Sequence, residues 1–315
     1  MTMKRITIFG GSGFLGSHLI AQLANRVPEV TVLTRREHRF KNLKVLNNVV
    51  VQEVDIQDDM ALRSVLSGSD AVINLIGILN QSGEANSFVN VHANLTRKIV
   101  IAAKEAGVPR LLQVSALHAD ADKGSSEYLR SKGLAERHIH ELAGDLAYTI
   151  FQPSVIFGPG DSFFNRFAGL LQGLPVFPLA CPDAKFAPVY VGDVCNAICD
   201  SLDNPSTAGE TLCLCGPEEF TLRQLVEFTR DSVGLNRLIV GLPDFAARLQ
   251  ARVMEWVPGK PFTRDNYLSL QTDSICAKDC EKQPTSIGAI VPGYLGQRGL
   301  RARQQASRRW ARRDV

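Results

Sequence analysis

The most constraining feature of the sequence is a glycine-rich turn between a short apolar strand and an apolar helix near its start. The turn reads Gly10-Gly-Ser-Gly-Phe-Leu-Gly16, so its glycines at 10, 13 and 16 are three residues apart. In parallel α/β proteins the first such glycine permits a tight bend, the second admits a pyrophosphate, and the third lets helix and strand pack closely. The free amides at the helix start favour an anion. The turn therefore predicts a dinucleotide site formed by Gly10, Ser12, Gly13, Phe14, Leu15 and Gly16, with a purely structural turn as the alternative.

Short β-rich apolar runs alternate with helical runs through the first half of the chain. Strands are predicted at residues 5–9, 30–33, 49–54, 71–76, 111–114 and 147–151, and helices at 15–24, 61–66, 90–106 and 128–142. Gly68, Gly107 and Gly144 are placed to end three of these helices. The order predicts the α/β class, as a Rossmann-type doubly wound parallel sheet with a smaller C-terminal α+β lobe.

The same pattern predicts how the chain divides. The Rossmann domain is expected at residues 1–157 and 187–205, the smaller lobe at 158–186 and 206–297, and a basic tail at 298–315.

The end of the second predicted strand indicates which dinucleotide the turn would bind. An NAD-specific site places an acidic residue there to bind the ribose 2′-hydroxyl. Here Arg35 and Arg36 follow the strand, and the first acid is Glu37. Because a guanidinium meets a phosphate with a planar fork of donors, this pair favours the 2′-phosphate of NADP(H) over NAD(H). The alternative is two solvated arginines on a loop.

Further cofactor contacts are predicted where later strands end. Asp55 is expected at the adenine amino group with Ile56 against the ring, and Gly77 would let its strand pass beneath the cofactor. The complete set of these contacts is Asp55, Ile56, Leu75, Ile76, Gly77, Ser115, Pro153 and Ile156.

Tyr128 and Lys132 stand four residues apart, so they share one face of a predicted helix. A phenol becomes a usable general acid or base near neutral pH only beside a cation. Lys132 could supply that charge and also bind the nicotinamide ribose. We therefore take both residues as catalytic and cofactor-binding candidates.

Together these residues, with Pro153-Ser154 after the sixth strand, resemble the short-chain dehydrogenase/reductase superfamily in its extended or atypical branch. The resemblance covers residues 4–290. Longer phrases narrow it, namely Tyr128-Leu-Arg-Ser-Lys-Gly-Leu-Ala-Glu136, residues 153–165, residues 188–194, and Leu242-Pro near Thr263-Arg-Asp265. These look like the family of the nucleotide-binding accessory subunit of mitochondrial respiratory complex I and its free-standing bacterial relatives. The resemblance implies bound NADP(H), often without demonstrated turnover.

One departure from the superfamily pattern bears on catalysis. Active extended members carry a Ser or Thr two positions beyond the first Ser at the end of the fifth strand, whereas this chain has Leu117 there. Loss of one such hydrogen-bond donor typically costs about a hundredfold or more in rate. The candidate replacements are Ser115, His118, Ser125 and Ser126.

Two functions follow from this departure. The favoured one is a structural, assembly or redox-sensing component associated with respiratory complex I or quinone metabolism. The alternative is an active NAD(P)-dependent oxidoreductase or epimerase that uses Tyr128 and Lys132 on a hydrophobic or sugar-like carbonyl or alcohol.

The charge of the chain is unevenly distributed. The net charge is +3, but residues 298–315 contain seven Arg and one acid, which leaves 28 basic against 31 acidic residues in the rest. A basic tail could contact an anionic membrane surface or a respiratory-chain subunit, with a solvated tail as the alternative. Nucleic acid is not an expected partner.

Composition also predicts the compartment. The longest apolar run, residues 71–79, is far shorter than the roughly 20 residues of a membrane-spanning helix. A strand predicted at once after the N-terminus leaves no room for a signal peptide. We therefore expect a cytoplasmic protein, with any membrane contact peripheral and on the inner face.

The remaining candidate residues are interpreted as structural. Seven cysteines, an odd number, argue against a disulfide framework and favour a reducing compartment. The pairs Cys195/Cys199 and Cys276/Cys280 are taken as buried thiols, and no metal site is expected. A structural role is favoured for His92, which precedes the fifth strand with Asn94. Core packing is favoured over a lipophilic pocket for Phe163, Phe164 and Phe167.

Overall fold

The computed structural model describes residues 3–35, 46–277 and 280–296, and the chain divides into two units. The larger unit comprises Met1–Pro153 and Val191–Leu214, and the smaller comprises Ser154–Tyr190 and Cys215–Val315. The predicted partition had assigned residues 206–214 to the smaller lobe, whereas the structure places a strand at Thr211–Leu214 in the large sheet.

A seven-stranded parallel sheet forms the centre of the larger unit. Its strands are β1 (Arg5–Phe9), β2 (Glu29–Thr34), β3 (Val49–Glu53), β4 (Ala71–Asn74), β5 (Arg110–Val114), β6 (Ala147–Pro153) and β11 (Thr211–Leu214). The strand order is β11-β6-β5-β4-β1-β2-β3, and every pairing is parallel. The order reverses beside β1, which confirms the predicted doubly wound sheet and places the usual ligand crevice at the carboxyl ends of β1 and β4.

Helices cross over between these strands. They are α1 (Phe14–Leu23), α2 (Asp59–Leu66), α3 (Leu95–Glu105), α4 (Glu127–Leu142) and α6 (Val191–Asp203). Gly68, Gly107 and Gly144 have φ of +76°, +69° and +57°, so these glycines end helices as predicted. The helix predicted at 90–106 is divided, because a π-helix at Val89–Asn94 precedes α3. Such π segments are frequent at functional sites.

The smaller unit is built from short strands and helices. Its strands are β7 (Ile156–Phe157), β8 (Val176–Leu179), β9 (Lys185–Phe186), β10 (Val189–Tyr190), β12 (Phe220–Thr221) and β13 (Leu238–Gly241). Its helices are α5 (Phe163–Gly173), α7 (Leu222–Ser232), α8 (Asp244–Met254) and α9 (Arg264–Ser269). Phe164 is fully buried, and Phe163 and Phe167 pack against the same core. Core packing of these three rings is therefore confirmed.

The cysteines behave differently at different places. Cys195 and Cys199 are buried on α6, and burial raises the pKa of their thiols to about 12 and about 11, which confirms their structural role. Cys215 and Cys276, in contrast, form a disulfide across a sequence separation of 61 residues. The expectation of reduced cysteines is wrong for this pair, because the backbone of Cys215 pairs with Lys282 and Gln283 and this folds the later segment back onto it.

Among the described residues, no helix combines the length and hydrophobicity needed to cross a bilayer.

The disulfide gives a direct test of the smaller unit. Titration of the unfolded, unreduced protein should reveal five thiols out of seven cysteines. Closing a loop of this length constrains the unfolded chain, so Cys215→Ser should lower the free energy of unfolding by about 4 kcal/mol. Cys280→Ser is the matched control and should leave it unchanged. Seven reactive thiols in protein isolated without reductant would contradict the pairing.

Candidate functional site

The glycine-rich turn has the geometry that an anion site needs. Gly10 has a φ of +74°, and the Gly13 amide donates to the Gly10 carbonyl at 3.0 Å. Helix α1 then begins at Phe14 with Gly13 as its N-cap and no side chain bonded to its first amides. The first turn therefore presents backbone N–H groups at the carboxyl end of β1.

Close packing explains why glycine occupies three positions of this turn. A Cβ on Gly16 would lie 2.4 Å from the Gly11 carbonyl oxygen, and one on Gly10 would lie 3.0 Å from the Ile76 nitrogen. The structure thus brings Leu75 and Ile76, which follow β4, against the turn. Gly11 was not among the predicted site residues, and a Cβ there would lie 2.9 Å from Val32 Cγ1.

The residues predicted around the adenosine half follow β2 and β3. Arg35 is exposed directly after β2, and Arg36 lies outside the described residues. Asp55 is exposed after β3, where its carboxylate also accepts from the Gln57 amide at 2.9 Å, and Ile56 packs against the core. Since β2 pairs in parallel with β1 and β3 pairs in parallel with β2, Arg35 and Asp55 share the sheet edge that carries the glycine turn.

A buried amide network positions the end of β4. Asn74 accepts from the Ile76 amide at 3.1 Å and donates to Gln113 Oε1 at 2.9 Å and Thr96 Oγ1 at 3.2 Å. Asn74 therefore ties the segment beneath the glycine turn to β5 and α3. The sequence offered no signal for these partners, because they lie far apart along the chain.

Lys132 reaches the same sheet edge from α4. Its ammonium donates to the Val114 carbonyl at 3.1 Å, and a Cβ on Gly77 would lie 3.3 Å from Lys132 Nζ. Burial lowers the pKa of Lys132 to about 8, and Glu136, one turn later on α4, acts in the opposite direction. The structure thus brings Lys132 and Gly77 together at the carboxyl edge of the sheet.

Glu136 is a second buried charge that the sequence analysis did not select. Both of its carboxylate oxygens accept from Gln152 Nε2 at 2.9 Å. Burial raises its pKa, whereas Ser115, Gln152 and the Lys132 cation favour the ionised form. The signal that could have found Glu136 is its spacing four residues after Lys132 on the same helix face.

His92 connects β4, the π-helix and the start of α4. Its Nε2 accepts from the Ile78 amide at 3.0 Å, so Nδ1 carries the proton and donates to Ser131 Oγ at 2.8 Å. Ser131 Oγ in turn donates to the Tyr128 carbonyl at 2.8 Å. Burial, followed by the Lys132 cation, lowers the pKa of His92 to about 2, so the imidazole is neutral. A neutral imidazole with both nitrogens hydrogen-bonded supports the structural role predicted for His92.

Aromatic contacts place the Tyr128 ring. The His92 ring packs edge-on with the Tyr128 ring at 5.5 Å between centroids, and Phe88 does the same at 5.8 Å. Tyr128 is half-buried, on the side of α4 that carries Ser131 and Lys132. Asn94, in contrast, is exposed and donates to Asn90.

The loop after β5 shows what surrounds the substituted hydroxyl. Leu117 is buried, and its amide donates to the Pro153 carbonyl at 3.1 Å. Ser126 caps α4 by accepting from the Leu129 amide at 3.2 Å, and Ser115 is buried beside Glu136. His118 is exposed, with a φ of +57° that is uncommon for a non-glycine residue.

The last predicted contact, Ile156, lies in the smaller unit, on β7 opposite Val189.

The arrangement in the larger unit can bind a dinucleotide and hold a proton. It offers free helix amides for phosphate, an exposed guanidinium after β2, a buried ammonium at the end of β5 and a phenol beside a neutral imidazole. Groups of His, Cys, Asp and Glu suitable for a metal ion are absent from the part of the chain that the structure describes.

Comparisons with known proteins agree with this geometry. Residues 10–160 match a domain family described as NAD(P)H-binding. The UDP-glucuronic acid 4-epimerase of Bacillus cereus, solved with UDP-glucuronic acid and NAD, has a similar fold, with a TM-score of 0.69 and 18% identity over 93% of this chain and 99% of that one. A ceramide reductase of Caulobacter vibrioides is 27% identical over 76% of this chain and 74% of its own length.

A stronger similarity joins the chain to a respiratory subunit. The mitochondrial NADH dehydrogenase (ubiquinone) 1 alpha subcomplex subunit 9 of Rattus norvegicus is 31% identical over 282 residues, covering 87% of this chain and 73% of the rat protein. The phrases that carried the resemblance in the sequence, the NAD(P)H-binding domain and the parallel sheet all agree with this match. The chain belongs to the family of the NADH dehydrogenase (ubiquinone) 1 alpha subcomplex subunit 9.

Proposed function

We propose that this chain binds NADP(H) and acts as a structural, assembly or redox-sensing component associated with respiratory complex I or quinone metabolism. The observation that carries the proposal is the contrast between an intact cofactor-binding edge and the apolar residue Leu117 at the expected hydroxyl position. Lys132, which would hold the ribose, is buried and bonded to the Val114 carbonyl. The side chain at the position that would polarise a substrate carbonyl is Leu117, which has no hydrogen-bond donor. Evidence for the assembly comes from family membership.

The preference for NADP(H) is supported by the end of β2. The strand ends at Thr34 and is followed by the exposed Arg35, with no acid there to accept from a ribose 2′-hydroxyl. A guanidinium at this edge would pair with a 2′-phosphate. Arg36 is proposed for the same role from the sequence alone.

Lys132 and Tyr128 are proposed to hold the nicotinamide ribose. Lys132 Nζ is fixed by the Val114 carbonyl and faces Gly77, and the His92 and Phe88 rings fix the Tyr128 ring. Ser115, Pro153 and Ile156 remain proposed contacts on the nicotinamide side.

Turnover is the second candidate function. The cofactor would supply hydride chemistry, while Tyr128 would hold the proton that a substrate hydroxyl loses or a carbonyl gains. The Lys132 cation would favour the phenolate in that exchange. Relatives such as the Caulobacter ceramide reductase show that the family's neighbours include a reductase.

The basic tail is proposed to contribute to attachment. Residues 298–315 carry a net charge of +6 and lie outside the described residues. An anionic membrane surface on the cytoplasmic side, or an acidic face of a partner subunit, would attract it.

The cofactor preference is testable with Arg35→Glu. Replacing a charge-assisted phosphate contact by a repulsive carboxylate should weaken NADPH binding by at least about tenfold and leave NADH binding nearly unchanged. The measurement is calorimetric titration with both nucleotides. Arg26→Glu is the matched control, because Arg26 precedes β2 at the opposite sheet edge. Equal affinities of the native chain for NADPH and NADH would refute the preference.

The ribose role of Lys132 predicts a pH dependence. Its pKa is lowered to about 8, so the ammonium is charged below that pH and neutral above it. NADPH affinity should therefore be full below pH 8 and fall as the pH rises through 8 to about 9. Lys132→Met should bind weakly with no such fall, and Lys104→Met should behave like the native chain. A pH-independent affinity in native protein would contradict the role.

Tyr128→Phe separates the two candidate functions. The ring and its packing are kept and one hydrogen bond to the ribose is lost, so NADP(H) should bind more weakly but be retained through the glycine turn, Arg35 and Lys132. In cells lacking the native gene, we expect this variant to restore function fully, whereas Lys132→Met should not because it releases the cofactor. Retained cofactor with lost cellular function would instead establish turnover.

A further inference from the structure

Helix α8 in the smaller unit is packed with its small side chains inward and its large apolar ones outward. Ala247 and Ala251 are 1% and 0% exposed, whereas Phe245, Leu249 and Val253 are 75%, 61% and 56% exposed. Burying the larger side chains in place of the two alanines would remove more apolar area from water, and would therefore stabilise an isolated domain more. The reversed arrangement indicates that this face is covered by something other than the rest of its own unit.

The exposed side chains form one continuous stripe. Phe245, Leu249 and Val253 are spaced four apart and therefore lie along one side of α8. Trp256 continues that side, because its amide bonds to the Val253 carbonyl at 3.2 Å and its side chain is 88% exposed. We call these four residues the α8 stripe.

The charges around the α8 stripe leave a positive balance. The Asp244 carboxylate pairs with Arg248 at 2.8 Å and also accepts from Tyr267. Glu255 is paired with Arg264 at 2.9 Å. Arg252, which lies on α8 between Leu249 and Trp256, has no acidic partner in residues 3–35, 46–277 and 280–296.

This combination identifies the kind of surface that fits. A helix with Trp, Phe and Leu on one side and arginines beside them is typical of segments that lie in the headgroup region of a bilayer. The indole is suited to that depth because it is largely apolar and carries one polar N–H.

Two other occupants fit less well. The basic tail of this chain has a net charge of +6, so it would be repelled by Arg252. A second copy joined by a two-fold axis would use the same patch on both copies, so it would place two Arg252 side chains in one interface and supply no opposite charge from the stripe.

We propose that the α8 stripe is a docking surface for an anionic lipid bilayer, with Phe245, Leu249, Val253 and Trp256 entering the headgroup region and Arg252 meeting lipid phosphates. The α8 stripe shares no residue with the basic tail or with the dinucleotide site, so this proposal goes beyond the proposed function and does not depend on it.

The chain provides its own reporter for a test. It contains two tryptophans, so Trp310→Phe removes the one in the tail and leaves Trp256 as the sole reporter. Full-length Trp310→Phe protein is mixed with phosphatidylcholine vesicles with and without phosphatidylglycerol. We expect a blue shift of Trp256 emission, protection from acrylamide and co-sedimentation with the anionic vesicles, all weakened by high salt.

Surface variants then assign the binding to the stripe. Phe245→Ser combined with Leu249→Ser should reduce vesicle partitioning by at least about tenfold, because two exposed apolar side chains lose their transfer free energy. Arg252→Glu should reduce binding to anionic vesicles alone. Met60→Ser is the matched control, since Met60 is 82% exposed in the larger unit. Unchanged thermal unfolding would show that the variants remain folded.

Three results would overturn the proposal. One is an absence of vesicle binding by the native chain. Another is co-sedimentation in which Trp256 emission stays unchanged, which would assign binding to the tail. The third is self-association without vesicles that is abolished by the Phe245/Leu249 variant, which would assign the stripe to a second copy.

Discussion

The contact between Gly16 and the Gly11 carbonyl is the constraint on which the larger unit depends. With no side chain between them, α1 lies directly on the end of β1, and its first amides point across the carboxyl edge of the sheet. The same closeness draws the Leu75-Ile76 segment against Gly10 and so fixes the end of β4. These close backbone contacts position the phosphate end of the site and also β4, whose carboxyl end carries residues of the nicotinamide end.

At the nicotinamide end, hydrogen bonds between buried polar groups, and not close backbone packing, hold the strands and helices in place. Lys132 is held by the Val114 carbonyl, Glu136 by Gln152, and His92 by the Ile78 amide and Ser131. Each of these groups would be costly to bury without its partner, so the network is stable only when β4, β5 and α4 are in register. The hydrogen bonds of Lys132, Glu136 and His92, together with the apolar Leu117 after β5, are the physical basis for favouring cofactor retention over turnover.

Local patterns were enough to predict the strands, the glycine turn and the shared helix face of Tyr128 and Lys132. Side-chain periodicity and backbone conformation depend on residues that are close together in the sequence. Local patterns were not enough for Asn74 with Gln113, a pair separated by 39 residues, since that contact exists only because β4 and β5 are neighbours. The same reason applies to the Cys215–Cys276 disulfide and to the strand Thr211–Leu214, whose place in the large sheet depends on β6. The four-residue spacing of Phe245, Leu249 and Val253 can be read from the sequence, but the exposure of these side chains cannot.

The central claim is that the larger unit holds an NADP(H) molecule as part of the native protein. The most direct measurement is the mass-spectrometric identification and quantitation of nucleotide released when the freshly purified full-length chain is denatured. We expect NADP(H) in near one-to-one proportion to protein, with little NAD(H). Protein that releases NAD(H) instead, or that releases no dinucleotide and takes up none when supplied with NADPH, would contradict it.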